Sequence, residues 1–437
     1  MKSQGVETSN TDYLRQFQEG ESKIIPQLLE LKKQALTNFE KLGFPTTKNE
    51  EWKYTNVAGI LKSKFNQAGE PGLSVNDIKY FLPEDAKSIL LVFENGKFNK
   101  KLSHIENIPA GLTVGDISEF STHHAVVNHL GKIAHHKNES FVALNTAMFH
   151  QGAFIYADKK FTSDQSIHLL FVNDARKSPT VSYPRNLVVA ENGSSLKISE
   201  SYYSMDSAES SFCNSVTEMF IHDNASVEFC KNESENNNDF HIDYTSAFLQ
   251  RDSVLNMHTI TSGGKIVRNN LRIELLKENG SAHLNGLMVT NGETHVDNHS
   301  FVDHASPNCY SNELYKGVLD DKSHGIFNGR IYVRRDAQKT NAYQSNKNIL
   351  LSDEASVNSK PQLEIYADDV KCSHGATTGQ LDPEAMFYLR SRGISENESR
   401  ALLTSAFAEE ILDRITIVSQ REKIKDLIHS RLKKGSE

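Results

Sequence analysis

A cysteine and a histidine near the carboxyl end of the chain have side chains suited to binding a metal ion or a cluster. Cys372 and His374 are separated by one residue, and Asp368 and Asp369 lie just before them, so that seven residues hold a thiol, an imidazole and two carboxylates. These groups could ligate a metal of borderline softness or shift each other's pKa. A turn with one buried cysteine and one solvated histidine has the same pattern, and an isolated Cys-x-His pair favours that interpretation.

The elements on either side of this pair differ in type. Before it, Leu363, Ile365 and Tyr366 form a short apolar run that is typical of a strand. After it, Asp382 can cap a helix whose first position suits Pro383. The pair is therefore expected where a region of strands gives way to a helical tail.

A second group of soft ligands precedes the pair. His295, His299, His304 and Cys309 lie within one polar stretch, and stacked strands could align some of them into a metal site. Histidines in a polar stretch are more often held by structural hydrogen bonds. The sequence favours that second interpretation and leaves the role of the group open.

Several segments together resemble the SufB/SufD family, whose members belong to the SUF system of iron–sulfur cluster assembly. The resemblance is carried by residues 361–393, by Asn-Gly-Arg-Ile-Tyr-Val at 328–333, and by residues 337–340, 344–352, 43–45 and 49–55. It is densest from about residue 295 to 411 and thinner before that. As a set, these motifs are specific for the family.

One strand separates the two branches of that family. SufB-like chains carry a Gln-Cys-Asp motif, whereas the corresponding residues here are Gln344, Ser345 and Asn346, without a cysteine. The chain therefore resembles the SufD branch. This difference also argues against assembly of a cluster by this chain alone.

Composition restricts the classes of function. The formal net charge is −8, which gives no basic surface for nucleic acid, and no apolar run is long enough to span a membrane. Residues 1–20 are polar and lack the apolar core of a signal peptide, so a cytoplasmic location is expected. Cys213, Cys230, Cys309 and Cys372 lie far apart, which argues against a disulfide framework.

The pattern of apolar residues divides the chain into three parts. Residues 22–42 show helical spacing, and Trp52 is predicted to anchor the segment after this helix by burial of its ring. After about residue 150, short strands alternate with Asn, Asp and Gly turns at a spacing of roughly thirty residues, which is typical of a solenoid. This pattern alone does not separate a β-helix from a long sandwich.

The resemblance implies a mainly β fold with a right-handed parallel β-helix as its core. We therefore predict a mainly helical N-terminal domain over residues 1–149, the β-helix over 150–381 and a C-terminal helical domain over 382–437. In this family the C-terminal domain docks the ATPase SufC. Our candidates for that contact are Phe387, Tyr388, Leu389, Arg390, Arg392, Leu402, Leu403 and Phe407. Part of the same apolar surface is expected to seal the open end of the solenoid.

The leading functional hypothesis is a non-enzymatic scaffold subunit of a SufBCD complex, paired with SufB. His374 and Cys372 would then belong to a composite site that holds an iron–sulfur cluster transiently, with no cofactor bound stably by this chain alone. The sequence has no phosphate-binding loop, nucleophile elbow or His-Glu-x-x-His helix. Complex stoichiometry, direct ligation of the cluster by this chain, and a homodimer in the absence of SufB are left open.

Two other classes of function are compatible with parts of the sequence. A carbohydrate-active β-helix enzyme could use paired carboxylates, such as Asp368 with Asp369 or Asp297 with Asp303. A single-chain metal enzyme could instead use the group of histidines around residue 299.

Overall fold

Two large parallel sheets face each other and form a β-solenoid. The computed structural model describes residues 26–82, 85 and 88–434. From the eighth strand onward, successive strands enter the two sheets alternately, so each pair of strands completes one coil. About eight such turns are present, and the predicted mainly β fold with a parallel β-helix core is confirmed.

The elements have the following bounds. Sheet A contains β1 (Asn66–Gln67), β4 (Leu112–Asp116), β5 (Ala153–Ala157), β7 (Thr180–Ser182), β8 (Arg185–Ala190), β10 (Ser211–Ile221), β12 (Phe240–Leu249), β14 (Ile266–Leu275), β16 (His295–His304), β18 (His324–Val333) and β20 (Ser356–Ile365). Sheet B contains β2 (Ile89–Glu94), β3 (Lys97–Phe98), β6 (Ile167–Asn173), β9 (Ser195–Ser204), β11 (Ser226–Ser234), β13 (Val254–Thr261), β15 (Ser281–Thr290), β17 (Tyr310–Leu319), β19 (Thr340–Leu350) and β21 (Val370–Gly379).

Helices occupy the two ends of the chain. They are α1 (Pro26–Leu42), α2 (Ala58–Lys62), α3 (Val75–Ile78), α4 (His124–His129), α5 (Ser140–Met148), α6 (Pro383–Ser391), α7 (Glu396–Leu412) and α8 (Val418–Lys434), with 3-10 turns at Glu50–Trp52 and Ile117–Phe120. The helix predicted from residue 22 is thus observed from Pro26, and residues 22–25 lie outside the described residues.

From β8 onward the coils stack in register, and their length varies from 26 residues (Phe240 to Ile266) to 32 residues (His324 to Ser356). Ile266 pairs with His295, and His295 pairs with His324, so these two coils each take 29 residues. The predicted turns start the coils: Asn224, Asp252 and Asn279 have φ of 59°, 55° and 62°. Asn and Asp tolerate this left-handed conformation better than other side chains with a Cβ, which explains why they recur at the turns.

Apolar side chains pack both inside the solenoid and on its outer faces. The interior core joins the facing sides of the two sheets, from Ile89 to Ala367. Outside sheet A, α1 and α5 cover the sheet with an aromatic cluster that includes Trp52 and Phe141, whose ring centres are 5.3 Å apart. Trp52 is buried, as predicted.

The C-terminal helices lie on the outer face of sheet B. Ala408, Ile411 and Leu412 of α7 pack in one cluster with Leu287 of β15 and Leu314 of β17. The expectation that these helices seal the open end of the solenoid was therefore wrong. Their apolar stripe follows the sheet because the outward side chains of β11, β13, β15 and β17 are themselves apolar there.

The two ends of the solenoid differ. At the N-terminal end, the short strands β3 and β4 pair antiparallel with β2 and β5, which interrupts the parallel stacking. Both sheets thus begin before residue 150, within the part predicted as the helical N-terminal domain. At the other end, β20 and β21 are the last strands of their sheets; most residues of β21 are exposed, and most residues of β20 are half-buried.

Candidate functional site at the open end of the solenoid

Cys372 and His374 lie on β21, the terminal strand of sheet B. In a strand, residues two apart point to the same face, so both side chains share one face. Their register partners on β19 are Ala342 and Gln344, which are buried. Because Cys372 packs against the interior core, this shared face is the inner face of the last coil.

The solenoid ends at this coil, so its inner face is accessible. His374 is exposed and Cys372 is half-buried, whereas the other three cysteines are buried. Partial burial raises the pKa of the Cys372 thiol. A metal ion or cluster would have to displace the thiol proton in order to bind.

The neighbouring carboxylates lie in the turn between β20 and β21. Asp368 and Asp369 are exposed there. The Asp369 N–H donates to the side-chain oxygen of Gln338 at 2.9 Å, and its carbonyl accepts from the N–H of Lys339. Both bonds use the backbone of Asp369, so they hold the turn in place without engaging the carboxylate.

The predicted docking residues fall into an exposed group and a packed group. Phe387 and Tyr388 on α6 are 75% and 58% exposed, and Leu402 on α7 is 52% exposed. Leu389, Arg390, Arg392, Leu403 and Phe407 complete the predicted set, and of these Arg390 and Arg392 are exposed and the other three half-buried. Large contiguous apolar patches are typical of interaction sites, and the docking role of these residues stays a prediction.

Phe407 belongs to the packing of α7 on sheet B. The Lys316 ammonium lies 4.2 Å from the centre of the Phe407 ring and donates to the Phe407 carbonyl at 2.8 Å. Lys316 also pairs with Glu410. A substitution at Phe407 therefore disturbs the attachment of the helix itself.

His295, His299, His304 and Cys309 do not form one site. His295 lies beside the Thr55 hydroxyl at 2.9 Å and His324 at 3.2 Å, on the outer side of sheet A. The side chain of His304 points to the interior of the solenoid, where its Nε2 lies 2.8 Å from the Ser311 hydroxyl. The sulfur of Cys309 donates to the Lys277 carbonyl. His295 and His304 thus have the hydrogen bonds that the structural interpretation expects, and that interpretation stays a prediction.

Asp297 and Asp303 are both held in ion pairs. Arg268 contacts Asp297 at 2.7 Å, and Arg334 contacts Asp303 at 2.7 Å. Burial opposes ionisation of Asp297, yet the Arg268 charge holds the pKa of this carboxyl well below its usual range. A glycosidase needs one carboxyl group that can donate a proton, and Asp297 does not fit that role.

Sequence reasoning missed a buried polar group inside the solenoid. Cys213, Glu235 and His241 offer three ligand atoms that all lie within 4.8 Å of one another. Cys213 is distant in sequence from the other two residues, and only the register of β10 with β12 brings it beside His241. The sequence did carry a signal: charged residues interrupt the alternating apolar pattern along β11 and β12.

Among the described residues, no helix combines the length and hydrophobicity needed to cross a bilayer.

The fold and site define a class of proteins: β-solenoids with helical additions on both outer faces and one open end that carries potential cluster ligands. Comparison with known protein families identifies the class. Residues 171–407 match the family described as "SUF system FeS cluster assembly, SufBD core domain", and residues 7–169 match "SufBD protein N-terminal region". The chain belongs to the SufBD family of iron–sulfur cluster assembly proteins.

Three relatives show how far the similarity extends. A SufBD family protein of Synechocystis sp. is 33% identical over 89% of this chain and 88% of the relative. The SufD protein of Escherichia coli is 30% identical, with 92% and 93% covered, and that of Bacillus subtilis is 26% identical, with 97% and 98% covered. The chain is thus SufD-like over most of its length.

Proposed function

We propose that this chain is a non-enzymatic scaffold subunit for iron–sulfur cluster assembly that pairs with SufB and binds the ATPase SufC. The open end of the solenoid carries the proposal. β20 and β21 each present ten residues at an exposed sheet edge, and such edges pair readily with another strand. A paralogue with the same two-sheet solenoid would have matching edges, so both sheets could continue across the joint.

The same joint would place potential cluster ligands between the chains. Cys372 and His374 are two ligands on the inner face of the last coil. Iron–sulfur clusters generally have four protein ligands, so SufB must provide the others. The cluster is the cargo of such a complex and would remain only until it is transferred.

The C-terminal helices would provide the contact with SufC. Phe387 and Leu402 are the exposed apolar residues best placed for it, since Phe407 is engaged with sheet B. Tyrosine and arginine are common hot spots of protein interfaces, and Tyr388, Arg390 and Arg392 are exposed beside Phe387.

The alternative as a carbohydrate-active enzyme is not supported. Asp297 and Asp303 are engaged by arginines. The comparisons with known proteins point to cluster assembly. The single-chain metal enzyme is not supported, because His295 and His304 point to opposite sides of sheet A and Cys309 lies in the turn before β17.

Substitution of His374 tests this proposal. Co-expressed with SufB and SufC, His374→Ala should leave the melting temperature and the co-purification yield unchanged, because the side chain is exposed. Cluster delivery to a reporter enzyme should fall roughly 10–100-fold, as expected when a ligand or its supporting group is removed. His135→Ala is the matched control, since His135 is also exposed but lies far along the chain.

Cys372→Ser completes the design. It should be as severe as His374→Ala if both residues ligate the cluster, and milder if the thiol only packs against the core. Normal delivery by the His374→Ala complex would contradict the role assigned to His374. Failure of the unsubstituted chain to co-purify with SufB would contradict the pairing.

A further inference from the structure

The interior of the solenoid contains several buried side chains that can carry a charge. Glu200, Glu233 and Asp243 point inward from β9, β11 and β12, and Glu235 follows β11; all four are at most 2% exposed. Lys231 contacts Asp243 at 2.5 Å and Glu200 at 3.6 Å. Glu200 and Asp243 thus share Lys231, whereas Glu233 and Glu235 lie beside His241, and burial of unbalanced charge is costly unless protons or a cation compensate it.

One part of this interior combines three kinds of metal ligand. The Cys213 sulfur, a Glu235 carboxylate oxygen and a His241 ring nitrogen all lie within 4.8 Å of one another. The His241 Nδ1 is 2.9 Å from Glu235 Oε2. Donors around a tetrahedral Zn²⁺ are separated by about 3.3–3.8 Å, given bond lengths of about 2.0–2.3 Å. Only small side-chain movements would be needed to reach that geometry.

The surroundings already orient the imidazole as a metal ligand requires. The Ser215 hydroxyl lies 3.1 Å from His241 Nε2, and the Tyr202 ring meets the imidazole edge-on at 4.5 Å between centres. The Asn173 amide donates to Glu235 Oε1 at 2.9 Å, which fixes the carboxylate. Such outer contacts hold the first ligands in place around bound metals.

Glu233 supplies an independent observation. Its Oε2 accepts from Thr261 at 2.7 Å and from Asn269 at 2.9 Å. Its Oε1 is fully buried, has no hydrogen-bond partner among the described residues, and lies 3.8 Å from His241 Nε2. A buried carboxylate oxygen without a hydrogen bond is costly and calls for a positive charge nearby, which a protonated His241 or a bound cation would supply.

We propose that Cys213, Glu235 and His241 bind a divalent first-row transition metal of borderline softness inside the solenoid, with Glu233 as the neighbouring carboxylate. One thiolate, one imidazole and carboxylates are a donor set suited to Zn²⁺, Co²⁺ or Fe²⁺ rather than Mg²⁺ or Ca²⁺. The metal would connect the sheets, because Cys213 and His241 belong to sheet A and Glu235 follows a strand of sheet B. The competing occupant of this space is a proton shared by His241 and Glu235.

Because the site is buried, the metal must enter while the chain folds. The experiment therefore refolds the full chain with Co²⁺, which reports a bound thiolate through a near-ultraviolet charge-transfer band. All variants carry Cys372→Ser, so that the exposed thiol at the open end does not contribute. We expect stoichiometric Co²⁺ after gel filtration, the charge-transfer band, and a higher melting temperature than after refolding with a chelator.

Cys213→Ser should abolish the band and lower the retained Co²⁺ at least tenfold. Cys230→Ser is the matched control, since Cys230 is equally buried but lies in an apolar cluster under the C-terminal helices. If Cys213→Ser does not fold, judged by circular dichroism, the near-isosteric Glu235→Gln serves the same purpose and should lower retained Co²⁺ about tenfold. Absence of retained Co²⁺ in the parent chain, or Co²⁺ retention unchanged in the folded variant, would overturn the proposal.

Discussion

Glu313 is a carboxyl group buried inside the solenoid, and its protonation affects stability. It lies on β17, is fully buried and accepts a hydrogen bond from the Ser300 hydroxyl. Burial raises the pKa of Glu313 to about 7, although the Ser300 bond opposes the shift. Near neutral pH, the folded chain thus retains a proton that the unfolded chain releases.

This property predicts a pH-dependent effect of Glu313→Gln. Between the unfolded pKa of about 4.5 and the folded pKa of about 7, the folded state binds more protons, so the free energy of unfolding falls as pH rises. The loss amounts to about 3 kcal/mol above pH 7. The glutamine variant lacks this loss, so its stability relative to the parent should increase from pH 5 to pH 8 in denaturant titrations.

Exposed Glu278 provides the control, because Glu278→Gln should show no such trend. A stability difference between Glu313→Gln and the parent that is constant over this pH range would contradict the proton assigned to Glu313.

Residues near each other in sequence were predictable as a site, and those joined only by coil register were not. Cys372 and His374 are two apart, so strand geometry alone places them on one face. Cys213 and His241 are 28 residues apart, and a shift of one residue in coil length would separate them. Residue patterns do not fix that register.

At the scale of elements, turn chemistry was the most informative signal. Asn and Asp residues predicted at the coil turns adopt positive φ, as at Asn224 and Asp252. The same pattern did not distinguish a β-helix from a sandwich, because strands bury alternate residues in both folds. The position of α7 was mispredicted, since an apolar stripe does not specify whether it covers a sheet face or a solenoid end.

The exposed part of the C-terminal helices allows a sharper docking test than the packed part. We predict that Phe387→Asp with Leu402→Asp abolishes SufC binding while the fold is retained, since both side chains are more than half exposed. Loss of a hot-spot residue costs roughly 2–4 kcal/mol, or about 30-fold or more in affinity. A pull-down with SufC beside circular dichroism measures both properties.

Val418→Asp is the matched control, because Val418 is an exposed apolar residue on α8 outside the predicted surface. Phe407→Asp should instead lower stability, since Phe407 packs with Lys316. A folded Phe387→Asp, Leu402→Asp variant that binds SufC normally would remove this surface from the interface.

At the scale of the whole molecule, the solenoid is asymmetric. One end is closed by antiparallel strands, and helices cover part of both outer faces. The edge of β20 and β21 is therefore the place where both sheets could continue. Pro361 in β20 is compatible with an edge strand, because proline cannot donate a ladder hydrogen bond. Burial of this edge by SufB is the central claim of the proposed function.

Thiol labelling of Cys372 tests that claim most directly, because Cys372 is the one cysteine of the four that is not buried. Iodoacetamide labelling, followed by mass spectrometry at low protein concentration, compares the chain alone with its complex with SufB. We predict that Cys372 is labelled in the isolated chain and protected at least tenfold in the complex. Equal labelling of Cys372 in both states would show that SufB does not cover the open end.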